Sequence, residues 1–237
     1  MLNVLALDTA TPRAAVAVAT AAGVVHVARP DPQARHGRHL VPAIRDLLRE
    51  AGLAVGAIDV LAVGLGPGSY TGLRVGLTVA KVLAYATGRP LVGFDSLEAI
   101  AQNAPGDALR VAVVADAQRG DLYTADFARD APDGPLVCRK PSGIEPLAAW
   151  AARVAPGTLV LGPGLELELV RSALPVHTNT LPAGDEAHWP DARRLPRLAL
   201  DLWQRGRRED PWFLEPLYLR RSAAEDQWDR KAPAARP

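Results

Sequence analysis

The N-terminal part of the chain alternates short apolar runs with small polar turns. Residues 3–8 read as a buried strand, and residues 14–20 and 24–29 read as two more, joined by a turn at Ala21-Ala22-Gly23. Three strands in succession predict an antiparallel opening to a sheet. After a polar loop at 31–37 the apolar period lengthens. Leu40, Ala43, Ile44, Leu47, Leu48 and Ala51 share one helical face, with Gly52 as the stop. Pro42 is expected in the first turn of that helix, where a missing N–H costs little. Residues 60–65 form a near-continuous apolar strand of the kind buried on both faces. A long apolar helix over 72–87 ends at Gly88, and residues 91–94 form a further strand. Asp95 and Glu98 have capping-box spacing ahead of a helix through Asn103.

The order β-β-β-α-β-α-β-α ends at the punctuation Ala104-Pro105-Gly106-Asp107. Strands at 110–116 and 121–128 then begin a second unit, followed by helices at 146–154 and 191–205 and a strand at 158–161. Residues 3–8 and 111–116 are both apolar strands ending in Asp. The reading is an α/β protein with an internal duplication: an N-terminal lobe at 1–105, a C-terminal lobe at 106–221 and a disordered charged tail at 222–237.

Composition adds mainly exclusions. The 237 residues are 49% apolar and carry a formal charge of +1, so no global field points to nucleic acid or membrane. Lysine occurs only at Lys81, Lys140 and Lys231, and Cys138 is the single cysteine, which removes internal disulfides and cysteine zinc sites. Asp8 and Arg13 interrupt the apolar start, no basic segment precedes it, and no uninterrupted span of membrane length follows. The expected location is the cytoplasm, with no membrane partner.

Two segments carry potential chemistry. Asp8-Thr9-Ala10-Thr11 closes the first strand, and a strand-ending Asp with hydroxyls in a tight turn could face a phosphate or cation; an Asx or ST turn explains it equally. Gly64-Leu65-Gly66-Pro67-Gly68-Ser69-Tyr70-Thr71-Gly72 is a strand–turn–helix in which glycines permit close approach and Ser69 or Thr71 can cap the helix. It has no Gly-Lys-Ser/Thr and is therefore not a Walker loop. Asp8, Thr9, Thr11, Gly66, Gly68, Ser69 and Thr71 form a candidate anion or nucleotide site. In the helix that follows, Gly72, Gly76, Ala80 and Ala84 form a small-residue ridge, while Leu73, Val75, Leu77, Val79, Val82, Leu83 and Tyr85 cover much of the remainder. His36 and His39 are three apart but have no carboxylate or cysteine support, so no metal is expected. Arginines at 193, 194, 197, 205, 207, 208, 220 and 221 could meet RNA phosphates or simply solvate helix faces.

Taken together the chain resembles the TsaB (YeaZ) family of accessory proteins for threonylcarbamoyladenosine formation on tRNA. The resemblance rests on Leu5-Ala6-Leu7-Asp8-Thr9, His39-Leu40-Val41-Pro42, residues 64–76 with Lys81, Asp116-Ala117-Gln118-Arg119-Gly120-Asp121-Leu122-Tyr123, and Tyr218-Leu219-Arg220. It implies the actin-like ATPase (ribonuclease H-like) fold and similarity to the catalytic relative TsaD. TsaD carries a His-x-Glu-x-His metal motif where this chain has Ser96-Leu97-Glu98-Ala99-Ile100. Neither Ser96 nor Ile100 replaces an imidazole at i and i+4. The chain also departs from the family at Tyr70, where Phe is usual, and at Ala10, where Ser is usual.

The expected function is a non-catalytic subunit, without cofactor, in the complex that forms N6-threonylcarbamoyladenosine at position 37 of tRNAs reading codons that begin with A. It would dock on a TsaD-type catalytic subunit through helices 40–51 and 72–87, using His39, Leu40, Ala43, Leu47, Leu73, Arg74, Gly76, Leu77, Ala80, Lys81 and Ala84. A TsaE-type ATPase and a second copy of the chain are further expected partners, and tRNA contact is expected to be indirect. The competing readings are an actin-like-fold ATPase or kinase using Asp8 and Asp116, and direct tRNA recruitment by the arginines.

Overall fold

The computed structural model describes residues 2–28, 36–182 and 184–220. Strands β1 (Val4–Asp8), β2 (Ala15–Ala19) and β3 (Val25–Ala28) pair antiparallel in sequence. Helix α1 (His36–Glu50) then leads to β4 (Val60–Gly64), α2 (Tyr70–Thr87), β5 (Leu91–Phe94) and α3 (Ser96–Ala101). β4 joins β1 in parallel and β5 joins β4, giving the sheet order β3-β2-β1-β4-β5.

The second half repeats this plan. β6 (Arg110–Asp116), β7 (Asp121–Ala128) and β8 (Val137–Pro146) pair antiparallel, α4 (Leu147–Arg153) follows, and β9 (Leu159–Leu161) pairs parallel to β6. After α5 (Glu168–Ser172), β10 (Asn179–Thr180) closes the sheet in the order β8-β7-β6-β9-β10, and α6 (Leu195–Gln204) ends the regular structure. Each sheet has three antiparallel strands followed by two parallel additions. This is the duplicated arrangement of the actin-like ATPase fold.

Strand alternation decides which element covers which face. Leu5, Leu7, Val16, Val18, Leu61 and Val63 face α1 and α2, while Val4, Ala6, Ala15, Ala17, Val60 and Ala62 face Leu195, Leu198 and Ala199 of α6. In the second sheet Val111, Val113, Phe127 and Leu161 meet Leu97 and Ile100 of α3, and Ala112, Val114 and Val160 meet Trp150 and Val154. The lobes therefore exchange helices: α3, from the first half, packs on the second sheet, and α6, from the second half, packs on the first. Arg153 ties α4 to β7 and β8 through Asp126 and Glu145. The Arg153 guanidinium beside Glu145 holds that carboxyl down to about 2.

Several sequence expectations need correction. The first helix begins at His36, so Pro42 is not in its first turn but inside it. It is tolerated because it lies on the solvent side, where the carbonyl it leaves unbonded can meet water. The expected loop at 31–37 falls partly outside the described residues, and its last two positions are helical. β8 is absent from the sequence reading. It is a polar edge strand containing Pro141 and Gly143, with irregular register against β7, and no apolar alternation betrays it. The expected tail at 222–237 lies outside the described residues.

Candidate functional site

The two loops singled out in the sequence meet at the mouth of the cleft between the lobes. Asp8 ends β1 and is buried; its Oδ1 accepts the Ala10 N–H at 2.8 Å. Gly66 follows β4 at φ 98°, the Gly66–Pro67 bond is cis, and Ser69 caps α2 by accepting the Gly72 N–H at 3.2 Å. The loops lock together through Ser69 N–H to Ala10 O at 2.7 Å and Thr9 Oγ1 to Gly72 O at 2.7 Å. The glycines make this contact sterically feasible. A Cβ on Gly68 would stand 2.2 Å from Ala10 O, one on Gly72 2.1 Å from Thr9 O, and one on Gly76 2.2 Å from Thr9 Oγ1.

This geometry engages three of the four hydroxyls expected to hold an anion. The Thr9 hydroxyl donates to Gly72 O, the Thr11 hydroxyl to Arg13 O at 3.0 Å, and the Ser69 hydroxyl caps α2. Of the hydroxyls singled out, those of Ser69 and Thr71 belong to exposed residues of the cleft wall. Ser96 Oγ accepts the Gly66 N–H at 3.1 Å and stands beside Asp8, while Ile100 is wholly buried in the second-lobe core. The two α3 positions aligned with the imidazoles of TsaD are thus both structural.

The cleft itself has a volume of about 610 Å³. Its far wall is the hairpin from Asp116 to Asp121, where Gln118 and Arg119 adopt left-handed φ of 65° and 58° and Asp116 Oδ1 accepts the Gln118 N–H at 2.6 Å. Gly162 and Gly164, in the turn after β9, press against the backbone of Val114. Arg220 is the only cationic side chain lining the cleft among the described residues, and it is paired with Asp121. Nearby, Arg13 pairs with Glu186 at 2.9 Å and lies over the Trp189 ring at 4.4 Å. A phosphate entering the cleft would meet cations already engaged.

Burial pushes the Asp8 carboxyl up, with the Ser96 hydroxyl and the Ala10 N–H opposing, and Oδ2 has no hydrogen-bond partner. A carboxyl raised in the folded state stabilises fully below its unfolded pKa, near 3.8, and that contribution is lost as pH rises through the folded value. Asp8→Asn keeps the acceptor for Ala10 and removes the buried charge. It is expected to raise stability at neutral pH and to flatten the decline as pH rises from 4. Thermal unfolding of both proteins across that range checks this; parallel pH curves would refute it.

The structure redraws the expected docking surface. Leu40, Leu47, Leu73, Gly76, Leu77, Ala80 and Ala84 are buried in the chain's own core, Ala43 and Lys81 are half-buried, and only His39 and Arg74 are exposed. The small-residue ridge faces β1 and the Asp8 turn, because only residues without large side chains let α2 approach Leu7 and Thr9. Beside Arg74, α2 presents Thr78, Val82 and Tyr85 outward, with Val41 on α1. Tyr85 meets Trp212 edge-to-face at 5.5 Å, next to Phe213, and all three are more than 70% exposed. The sequence reading placed Tyr85 among the apolar residues of the helix and did not single out Trp212 or Phe213. A signal was present in the spacing of Val82 and Tyr85, out of phase with the ridge, and in a Trp212-Phe213 pair stranded in a turn after Pro211. Among the described residues no group of His, Cys, Asp and Glu side chains is placed to hold a metal. No described helix is long and apolar enough to cross a membrane.

Comparison with known proteins follows the same lines. A family model for TsaD, tRNA N6-adenosine threonylcarbamoyltransferase, matches residues 23–131. The tRNA threonylcarbamoyladenosine biosynthesis protein TsaB of Escherichia coli (strain K12) is 35% identical over 131 residues, 54% of this chain; the match spans only 56% of that protein's length. An uncharacterized protein of Mycobacterium bovis is 32% identical over 229 residues, 94% of both chains. The solved structure of YeaZ from Pseudomonas aeruginosa superposes with a TM-score of 0.78 at 30% identity, covering 92% of this chain and 100% of that one. A likeness carried along the full length of a solved YeaZ chain, on the same two-lobed framework, establishes that this chain belongs to the TsaB (YeaZ) family.

Proposed function

We propose that this protein is a non-catalytic, cytoplasmic accessory subunit in the formation of threonylcarbamoyladenosine on tRNA, docking on a TsaD-type catalytic subunit. Family membership supports the pathway. The observation that carries the accessory role is the state of the inter-lobe site: the Thr9, Thr11, Ser69 and Ser96 hydroxyls are bonded to the chain's own backbone, and Ser96 and Ile100 stand where the catalytic relative carries metal-binding histidines. Docking uses the outward face of α1 and α2, with His39, Val41, Arg74, Val82 and Tyr85 exposed and Ala43 and Lys81 at its margins. The same face would serve a second copy of the chain in isolation, and a TsaE-type ATPase would join the assembled pair.

Contact with tRNA is indirect in this reading. Arg193 pairs with Asp191 at 2.8 Å, Arg197 with Asp201 at 3.0 Å and Arg207 with Glu209 at 2.8 Å, and Arg208 lies over the Trp203 ring. These side chains are less available to phosphates than their spacing in the sequence implies.

The deciding experiment is reconstitution of threonylcarbamoyl transfer to tRNA by a TsaD-type subunit with and without this chain. Activity is expected to require the chain. Val82→Glu and Tyr85→Glu are expected to weaken the complex by about tenfold or more, as desolvated aromatic and aliphatic anchors do, with unfolding temperatures unchanged. Full activity without the chain, or undiminished binding by both variants, would overturn the proposal.

A further inference from the structure

The last described residues belong to neither sheet. Leu214 is buried beside Leu77, Ala80 and Ala84 in the core of the first lobe. Leu217 N–H donates to Leu65 O at 2.7 Å, in the turn that leads to α2. Tyr218 stacks on Tyr70 with ring centroids 5.1 Å apart, and its hydroxyl accepts from Arg74 Nε at 3.0 Å, while the Arg74 guanidinium lies over the Tyr70 ring at 4.4 Å. Leu219 then packs against the core of the second lobe, and Arg220 pairs with Asp121 and approaches Gln118 O at 3.5 Å. Between Leu214 and Arg220 the chain leaves the core of one lobe and ends ion-paired to the other. Residues 217–220 line the cleft that it crosses.

Two lobes joined on one side of a cleft are free to hinge, and the hinge angle is set by whatever else spans the gap. The chain passes from the first lobe to the second between β5 and α3 and returns between β10 and α6, which packs on the first sheet. Residues 214–220 make a third crossing, at the cleft mouth, where residues 217–220 line the gap. We propose that residues 214–220 form a strap that fixes the opening of the inter-lobe cleft, latched to α2 through Tyr218 with Tyr70 and Arg74, and to the second lobe through Arg220 with Asp121. Each latch has a different chemistry. The first is an aromatic stack with a cation over it, anchored by the buried Leu214. The second is one partly buried ion pair at the base of a hairpin whose Gln118 and Arg119 already sit in the left-handed region. The ion pair is the end that releases. Because Tyr70 and Arg74 stand on α2, a contact made on that helix reaches the strap directly, whereas the hairpin feels it only through Arg220.

The test uses the full chain with Cys138→Ser and spin labels at two exposed positions, Thr78→Cys on α2 and Ala131→Cys beyond β7. Arg220→Asp is expected to broaden and lengthen the label-to-label distance. It should also speed hydrogen exchange of the Asp121 amide, which is bonded to Gln118 O, by about tenfold. Arg220→Asp combined with Asp121→Arg is expected to restore both readings, because the swapped pair rebuilds the same attraction. Unchanged distance and exchange in a folded Arg220→Asp would overturn the strap. An opening that persists in the swapped pair would overturn the latch as its cause. Should Arg220→Asp not fold, Arg220→Gln removes the charge at similar length, and the same two readings decide.

Discussion

Gly72→Ala is expected to destabilise the protein by about 3 kcal/mol or more, despite placing a better helix former inside a helix. Alanine for glycine in an exposed helix interior would gain about 1 kcal/mol. At this position the added Cβ would lie 2.1 Å from Thr9 O, and that carbonyl cannot move aside cheaply. The adjacent residue, Ala10, is bonded through its own carbonyl to Ser69 N–H, and the Thr9 side chain is bonded to Gly72 O. The clash therefore pushes apart the two loops whose contact seats α2 on the first sheet. Gly88→Ala is the informative comparison, because its Cβ would meet nothing within 4 Å and only its φ of 64° opposes the change. That substitution should cost about 1 kcal/mol. Chemical unfolding of the two variants separates the effects. Equal midpoints would show that close packing at Gly72 is not what holds the turn.

Leu77→Glu, which a reading of the sequence offers as an interface probe, is expected to unfold the protein instead. Leu77 is 6% exposed and packs with Leu5, Leu7, Val63 and Ala80, so a carboxylate there meets apolar groups and no partner. The expected loss is about 4 kcal/mol or more, comparable to the whole stability of many domains. Val82, five residues further along the same helix, is 58% exposed, and Val82→Glu should change stability by about 0.5 kcal/mol at most. Circular dichroism and thermal melts of the pair check the contrast. A folded Leu77→Glu would mean that α2 can turn its buried face outward, and the core assignment would be wrong. The practical consequence is that lost partner binding by Leu77→Glu reports unfolding, whereas the same loss by Val82→Glu reports the surface.

The proposed strap and the spent hydroxyls describe one design. The first loop is locked onto α2 by Thr9 and Ser69, and the cleft mouth is crossed by residues 217–220. The first stiffens α2 on its own lobe and the second opposes lobe motion, and together they suit a protein that presents a fixed helix surface.

What the sequence determined by itself was local. The strand ending at Asp8, the glycine turn from Gly66 and the helix stop at Gly88 are legible because period, capping and left-handed φ are properties of neighbouring residues. The duplicated plan was also legible, through two apolar strands that each end in Asp. The tertiary structure decided which apolar face of α2 is inside. Ridge and opposite face are both hydrophobic, and only the approach of Thr9 to Gly72 and Gly76 assigns the ridge to the core and leaves Val82 and Tyr85 outside. Likewise, no spacing reveals that Thr9 donates to a carbonyl 63 residues away, or that Arg220 meets Asp121 across 99 residues of chain. Hydroxyls and charges look the same in a sequence whether they await a ligand or are already bonded. Their partners are fixed only when distant segments come together.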